Sequence, residues 1–267
     1  MPSVSNIAIG ANLAAAAANK ARHGMNESIA RLSTGIRAMY GGDAAGHSVA
    51  TTHAAEGKSY AAATRNIEDG ISYLQTGESV LLEVANLATR LRELGIQADN
   101  AALLATATQV AAMNSEAALI GDTIDAILDK TDFNTIEVVD SAGAKTVAVN
   151  YVGEASGTTT TVGPGVAITA MGGITAAAGA DGTADTMLGK LAEALGNIAA
   201  DLTALKAFQG AASATGANLM ASSARLMDTD YALETANLTK NSILNQAALS
   251  MAAQANSAQS AILSVLQ

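Results

Sequence analysis

The chain has 267 residues, enough for one or two domains, with a net charge of −10 and no cysteine. Without thiols there is no disulfide framework, thiol nucleophile or cysteine-ligated metal, and the acidic balance opposes nucleic acid and anionic membranes, which attract Lys and Arg. Aromatics are 3% while alanine supplies about 60 positions, so long thin helices are expected rather than one thick core.

In chain order, residues 1–19 carry no charge. Asn6, Asn12 and Asn19 interrupt the apolar residues, which argues against a membrane span. Residues 14–18 look like the apolar region of a secretory signal, but no Lys or Arg precedes them, so no cleaved signal is expected. An amphipathic helix is predicted here, with Ile29, Leu32 and Ile36 on one face. A long helix is predicted over residues 54–100, where Val80, Val84, Leu87, Leu91, Leu94 and Ala98 follow a heptad spacing. A second, over 103–130, repeats the seam through Val110, Met113, Ala117, Ile120, Ile124 and Ile127.

The pattern then changes to a β-rich insert over residues 133–180. Val147, Val149 and Tyr151 alternate with Ala148, Asn150 and Val152, after the turn chemistry of Asp140-Ser141-Ala142-Gly143. Residues 158–162 and 166–169 read as short strands around Gly163-Pro164-Gly165, and residues 170–182 as a loop. A third heptad helix, over 185–225, runs through Leu188, Leu191, Leu195, Ile198, Leu202 and Leu205. Residues 241–267 are again uncharged, with Ile262, Leu263 and Leu266 on one face. The fold class is mainly α: a long antiparallel coiled-coil rod, paired terminal helices and a small β-hairpin region. Its expected parts are residues 1–42, 43–225 and 226–267. Two uncharged amphipathic ends require a partner, either each other or another copy.

No residue cluster points to catalysis. Glu56-Gly57-Lys58-Ser59 ends like a phosphate loop, but Thr52 stands where the earlier glycine is required, and the stretch reads as helix. His23, His47 and His53 are too scattered for zinc. Asp228-Thr229-Asp230 lacks the rest of a cation loop and reads as a helix cap or turn. No enzyme activity, metal or cofactor is expected.

The motifs themselves are specific. Arg31-Leu32-Ser33-Thr34-Gly35-Ile36-Arg37, followed by Asp43-Ala44-Ala45-Gly46, closely resembles the N-terminal signature of bacterial flagellins. Arg65-Asn66-Ile67-Glu68-Asp69-Gly70-Ile71-Ser72 and Leu87-Ala88-Thr89-Arg90-Leu91-Arg92-Glu93-Leu94 resemble the next blocks, and Thr131-Asp132-Phe133-Asn134 the end of the second helix. Asp228-Thr229-Asp230-Tyr231-Ala232, Asn237-Leu238 and Ile243-Leu244-Asn245-Gln246-Ala247 resemble the C-terminal signature. The resemblance covers roughly the first half of the chain and its last 80 residues. Three departures stand out. The stretch 39–43 is a residue shorter than usual and keeps one acid, Gly95 replaces the usual alanine, and Gln267 stands where arginine is common. The middle is short, without the outer variable domains of large flagellins.

The resemblance implies a structural subunit of the bacterial flagellar filament, exported unfolded through the flagellar channel to the cell exterior. Ile29, Leu32, Ile36, Leu238, Ile243, Leu244, Ile262, Leu263 and Leu266 are expected to pack between subunits. Implied partners are other copies, the junction and cap proteins, and an export chaperone on the C-terminal segment. A Toll-like innate immune receptor would be met through Arg90, Leu94 and Glu116. Ser156, Thr158, Thr159, Thr160 and Thr161 are candidate O-glycosylation sites. The alternatives are a hook–filament junction protein, which shares the helical ends, and a chemoreceptor-like signalling hairpin, also Ala-rich with heptads.

Overall fold

The computed structural model describes residues 2–37, 43–100, 103, 106–139, 145–148, 159–168, 171 and 173–266. Among these, five helices carry the chain: α1 (Pro2–Thr34), α2 (Ala44–Asp99), α3 (Ala107–Lys130), α4 (Ala180–Met227) and α5 (Tyr231–Leu266). Two antiparallel hairpins lie between α3 and α4. β1 (Asp132–Phe133) pairs with β2 (Ile136–Glu137), and β3 (Lys145–Ala148) with β4 (Thr159–Val162). The chain divides into two compact units, a terminal unit of residues 1–54 with 219–267 and a central unit of residues 55–218.

The central unit is built on the heptad seams. Val84, Leu91, Leu94 and Ala98 of α2, Met113, Ala117 and Ile124 of α3, and Leu191, Ile198 and Leu205 of α4 are buried. Val80, Leu87, Ile120, Ile127, Leu188, Leu195 and Leu202 flank them partly buried, as expected where straight helices drift from a strict heptad. α2 and α4 run antiparallel: Gln209 donates to Glu68 near one end, and Arg92 pairs with Asp185 at 2.6 Å near the other.

Among its described residues the segment between β4 and α4 has no ladder, and side chains of the helices bond five of its backbone groups. Gly163 N–H donates to Asp201, and Asn197 Nδ2 donates to the Pro164 carbonyl. Farther along, Met171, Ala177 and Gly179 donate their N–H groups to Asp125 (2.6 Å), Asn114 (2.8 Å) and Asp99 (3.3 Å). Val162, Ile168, Met171 and Ala177 are thereby buried against the helices.

Several elements differ from the sequence expectation. α2 begins ten residues earlier than predicted, because Asp43 caps it: Oδ1 accepts the Gly46 N–H and the carbonyl accepts the His47 N–H. α3 starts at Ala107 rather than residue 103, since Thr106 is extended. α4 starts at Ala180 rather than 185, inside the predicted loop. Residues 166–168 form no strand, although Ile168 is buried. The β1–β2 hairpin escaped the pattern because its strands are two residues long. Ile36 lies beyond the end of α1 and so does not share a helix face with Ile29 and Leu32. Asp140–Gly143 and residues 149–152 lie outside the described residues.

Candidate functional site

α1 and α5 pack antiparallel within the terminal unit, and their interface is made of small residues. Every buried apolar side chain described in that unit is an alanine: Ala18, Ala21, Ala50 and Ala248. Gly24 lies so close to α5 that an added Cβ would stand 2.6 Å from Asn241 Nδ2. The large apolar residues lie on the outside. Of sixteen exposed large hydrophobics described, eleven belong to the terminal unit, including Ile9, Leu13, Leu233, Leu249 and Met251. The five in the larger central unit surround a core of large side chains, whereas among the described residues of the terminal unit the buried apolar side chains are alanines alone.

The residues expected to pack between subunits fall as follows. Ile29, Ile243 and Leu244 are exposed at 49%, 60% and 49%, while Leu32 and Leu238 are half-buried. The side chains of Ile262, Leu263 and Leu266 lie outside the described residues. Leu233, Leu244 and Met251 recur at spacings of eleven and seven on one face of α5, a signal that the sequence carried and the composition of small residues obscured. Ile9 and Leu13, on successive turns of α1, carried the same signal.

Where α1 ends, the chain is clamped to the turn between α4 and α5. Gly35 takes φ +70°, which lets the helix stop, and its N–H donates to the Arg31 carbonyl. Ile36 and Asp228 form a one-residue antiparallel bridge: Arg37 N–H donates to the Met227 carbonyl at 2.7 Å, and Thr229 N–H to the Gly35 carbonyl at 2.9 Å. The Arg37 guanidinium donates to the Leu226 carbonyl and to Asp43. Asp230 caps α5, accepting the N–H groups of Ala232 and Leu233, so Asp228-Thr229-Asp230 is the cap and turn expected of it. Glu234, 6% exposed, faces Arg31 at 3.6 Å. The roles of Arg37 on the Leu226 carbonyl and of Glu234 beside Arg31 did not stand out in the sequence, because these partners lie about 200 residues away.

In the central unit Arg90 donates to Glu116 at 2.8 Å and to Glu93 at 3.2 Å, and all three are exposed. These carboxylates, Glu116 foremost, hold the guanidinium pKa above its usual value. Leu94 is 1% exposed and belongs to the core. Thr159 and Thr161 are exposed on β4 and Thr160 is half-buried; Ser156 and Thr158 lie outside the described residues. His53 shares a hydrogen bond with Ser222, while His23 and His47 are exposed. Among the described residues no group of three His, Cys, Asp or Glu could hold a metal, and no helix is long and apolar enough to cross a membrane.

Profiles of known families match most of the chain. The bacterial flagellin N-terminal helical region matches residues 5–144, and the bacterial flagellin C-terminal helical region matches residues 182–266. The chain is 29% identical to a flagellin of Bacillus subtilis, covering 89% of this chain and 91% of that one. It is 33% identical to a flagellin of Halalkalibacterium halodurans, with 89% and 90% covered. Among solved structures, Bacillus cereus flagellin aligns with a TM-score of 0.39 and 25% identity, over 58% of this chain and 88% of that one. With both helical regions matched in order and relatives spanned almost end to end, the chain belongs to the bacterial flagellin family.

Proposed function

We propose that the terminal unit, residues 1–54 with 219–267, is the part through which copies of this chain join. As a flagellin the protein is a structural subunit that polymerises into the extracellular bacterial flagellar filament, the organelle of swimming. One observation supports placing the joint in the terminal unit: it buries alanines and exposes isoleucine, leucine and methionine. Burying each such side chain contributes about 1.5 to 3 kcal/mol, and in a lone chain nothing collects that gain. Ile29, Leu32, Ile36, Leu238, Ile243, Leu244, Ile262, Leu263 and Leu266 are the residues proposed to meet a neighbouring copy. Head-to-tail contacts that do not close generate an open helical polymer. The terminal helices order fully only on assembly, because alone they bury too little to offset their conformational entropy.

The test is electron microscopy of the purified chain before and after concentration with a precipitating salt and filament seeds. Long uniform filaments are expected, and a chain lacking either end should stay monomeric. Normal filaments from a truncated chain would overturn the reading. Rings found only at filament ends would favour the junction protein instead.

The remaining partners are read from the resemblance alone: cap and junction proteins and an export chaperone on the C-terminal segment, with passage unfolded through the flagellar channel. Recognition by a Toll-like receptor would use the exposed Arg90 and Glu116, with Leu94 holding α2 in place beneath them; a silent reporter-cell assay would refute it. Glycans on Ser156 or Thr158 to Thr161 would appear in the intact mass.

A further inference from the structure

Along the paired helices two contacts fix how α1 lies on α5, Gly24 beside Asn241 and Arg31 beside Glu234, and the Ile36–Asp228 bridge anchors the chain just beyond the helix ends. Moving seven residues back along α1 moves seven forward along α5, so both contacts report one register. Beyond Gly24, toward the N-terminal end of α1, the buried apolar residues of the pair are Ala18, Ala21 and Ala248. Alanine packs against alanine equally well after a slip of one turn, so this part of the interface cannot specify its own alignment.

Glu234 can. With Asp230 as the cap of α5, Thr229 and Glu234 occupy the two positions where a helix start is normally stapled by apolar side chains. Both are nine-tenths buried, and neither Thr229 Oγ1 nor Glu234 Oε1 has a hydrogen-bond partner. A buried carboxylate oxygen without a hydrogen-bond donor depends on the nearest cation, and a slipped helix would carry Arg31 away from it. Among the described residues this is the only ion pair between α1 and α5. We infer that the Arg31–Glu234 pair sets the register of α1 on α5, and with it which apolar residues of the two helices stand together on the outer face. The second half of that statement rests on the filament reading; the first stands on the geometry of one chain.

The absence of cysteine allows a direct test. By that register Ala18 falls within one residue of Ala248, and both are buried; slipped by a turn, it would fall beside Ala252. The full chain carrying Ala18→Cys with Ala248→Cys, or Ala18→Cys with Ala252→Cys, is oxidised under assembly conditions. A non-reducing gel separates loops within one chain from links between chains, and sedimentation records polymer independently. The first pair should close within the chain about tenfold more than the second, given the distance limits of a disulfide. In a Glu234→Leu background the slipped loop should rise about tenfold, because the buried charge no longer opposes a slip along the helices and only the Ile36–Asp228 bridge at their ends does. Arg31→Met, which breaks the same pair from α1, should do the same. Either variant keeping the parental ratio would overturn the proposal, as would a parent chain that prefers the slipped loop. A native-register loop with no pelletable polymer would uphold the register and refute the filament reading alone.

Discussion

Arg37 and Asp43 join two helix ends that are far apart in sequence. The Arg37 guanidinium donates to Asp43 Oδ2 at 2.8 Å and to the Leu226 carbonyl at 3.0 Å in the last turn of α4. The other oxygen of Asp43 accepts the Gly46 N–H at the start of α2. One ion pair thus links the orphan carbonyls of one helix to the orphan amides of another.

The first prediction concerns pH. Arg37, and then the Gly46 N–H, hold the Asp43 carboxyl below its ordinary pKa. The folded chain therefore binds this proton less readily than the unfolded one. Its contribution to stability is present above the ordinary carboxylate range and is lost as pH falls through the depressed folded value. Asp43→Asn keeps a capping oxygen but removes the charge. It should melt below the parent at neutral pH, and the gap should close in acid. A gap independent of pH in circular dichroism melts would contradict this account.

Gly95 supports a second prediction. A Cβ there would lie 2.9 Å from Asp181 Cβ and 3.0 Å from its Cα, with the Asp181 amide nitrogen closer still, at the first turn of α4. Backbone cannot swing aside as a side chain can. Gly95→Ala should therefore destabilise by about 1 to 3 kcal/mol, although alanine is the better helix former. Gly189→Ala and Gly196→Ala, where an added Cβ meets nothing within 4 Å, should instead stabilise by about 0.5 to 1 kcal/mol. Denaturant midpoints of the three variants decide it. The glycine at residue 95 then has a physical cause, the close approach of α4.

The turn of the β1–β2 hairpin supports a third. Asn134 and Thr135 both take positive φ, 52° and 64°. Asparagine tolerates that region; a β-branched threonine does so at a cost of about 1 to 2 kcal/mol. Thr135→Gly should recover about 1 kcal/mol of this, less the extra entropy glycine brings to the unfolded chain. An unchanged or lower midpoint would mean that the Thr135 side chain earns its strain through contacts elsewhere.

The helices of the central unit were legible because their seams repeat: Val84, Leu91 and Leu94, or Leu191, Ile198 and Leu205, are spaced as a buried stripe requires. The start of α2 was not, since residues 44–53 hold Gly, Ser, Thr and two His and show no apolar stripe; Asp43, a cap visible only with its amides in place, decides it. The outer face of the terminal unit was half legible. Ile29, Ile243 and Leu244 were identified, while Leu233, Leu249 and Met251 escaped among alanines. The segment before α4 was illegible for another reason. Its conformation is set by Asp125, Asn114 and Asp99, which carry no sign in the sequence of the backbone they bind.

That segment yields the last prediction. Met171 and Ala177 donate N–H groups to Asp125 and Asn114, and each hydrogen bond is part-buried, so removing the acceptor leaves a backbone donor unsatisfied. Asp125→Ala and Asn114→Ala should each cost about 1 to 3 kcal/mol locally, with the helices retained. The sensitive readout is limited proteolysis, since a released segment unfolds before the bundle does. Cleavage between residues 163 and 179 should accelerate in both variants while helical circular dichroism stays at the parental level. Equal cleavage rates in parent and variants would mean that Ile168 and Met171, buried in the core of the central unit, hold the segment without help from the two acceptors.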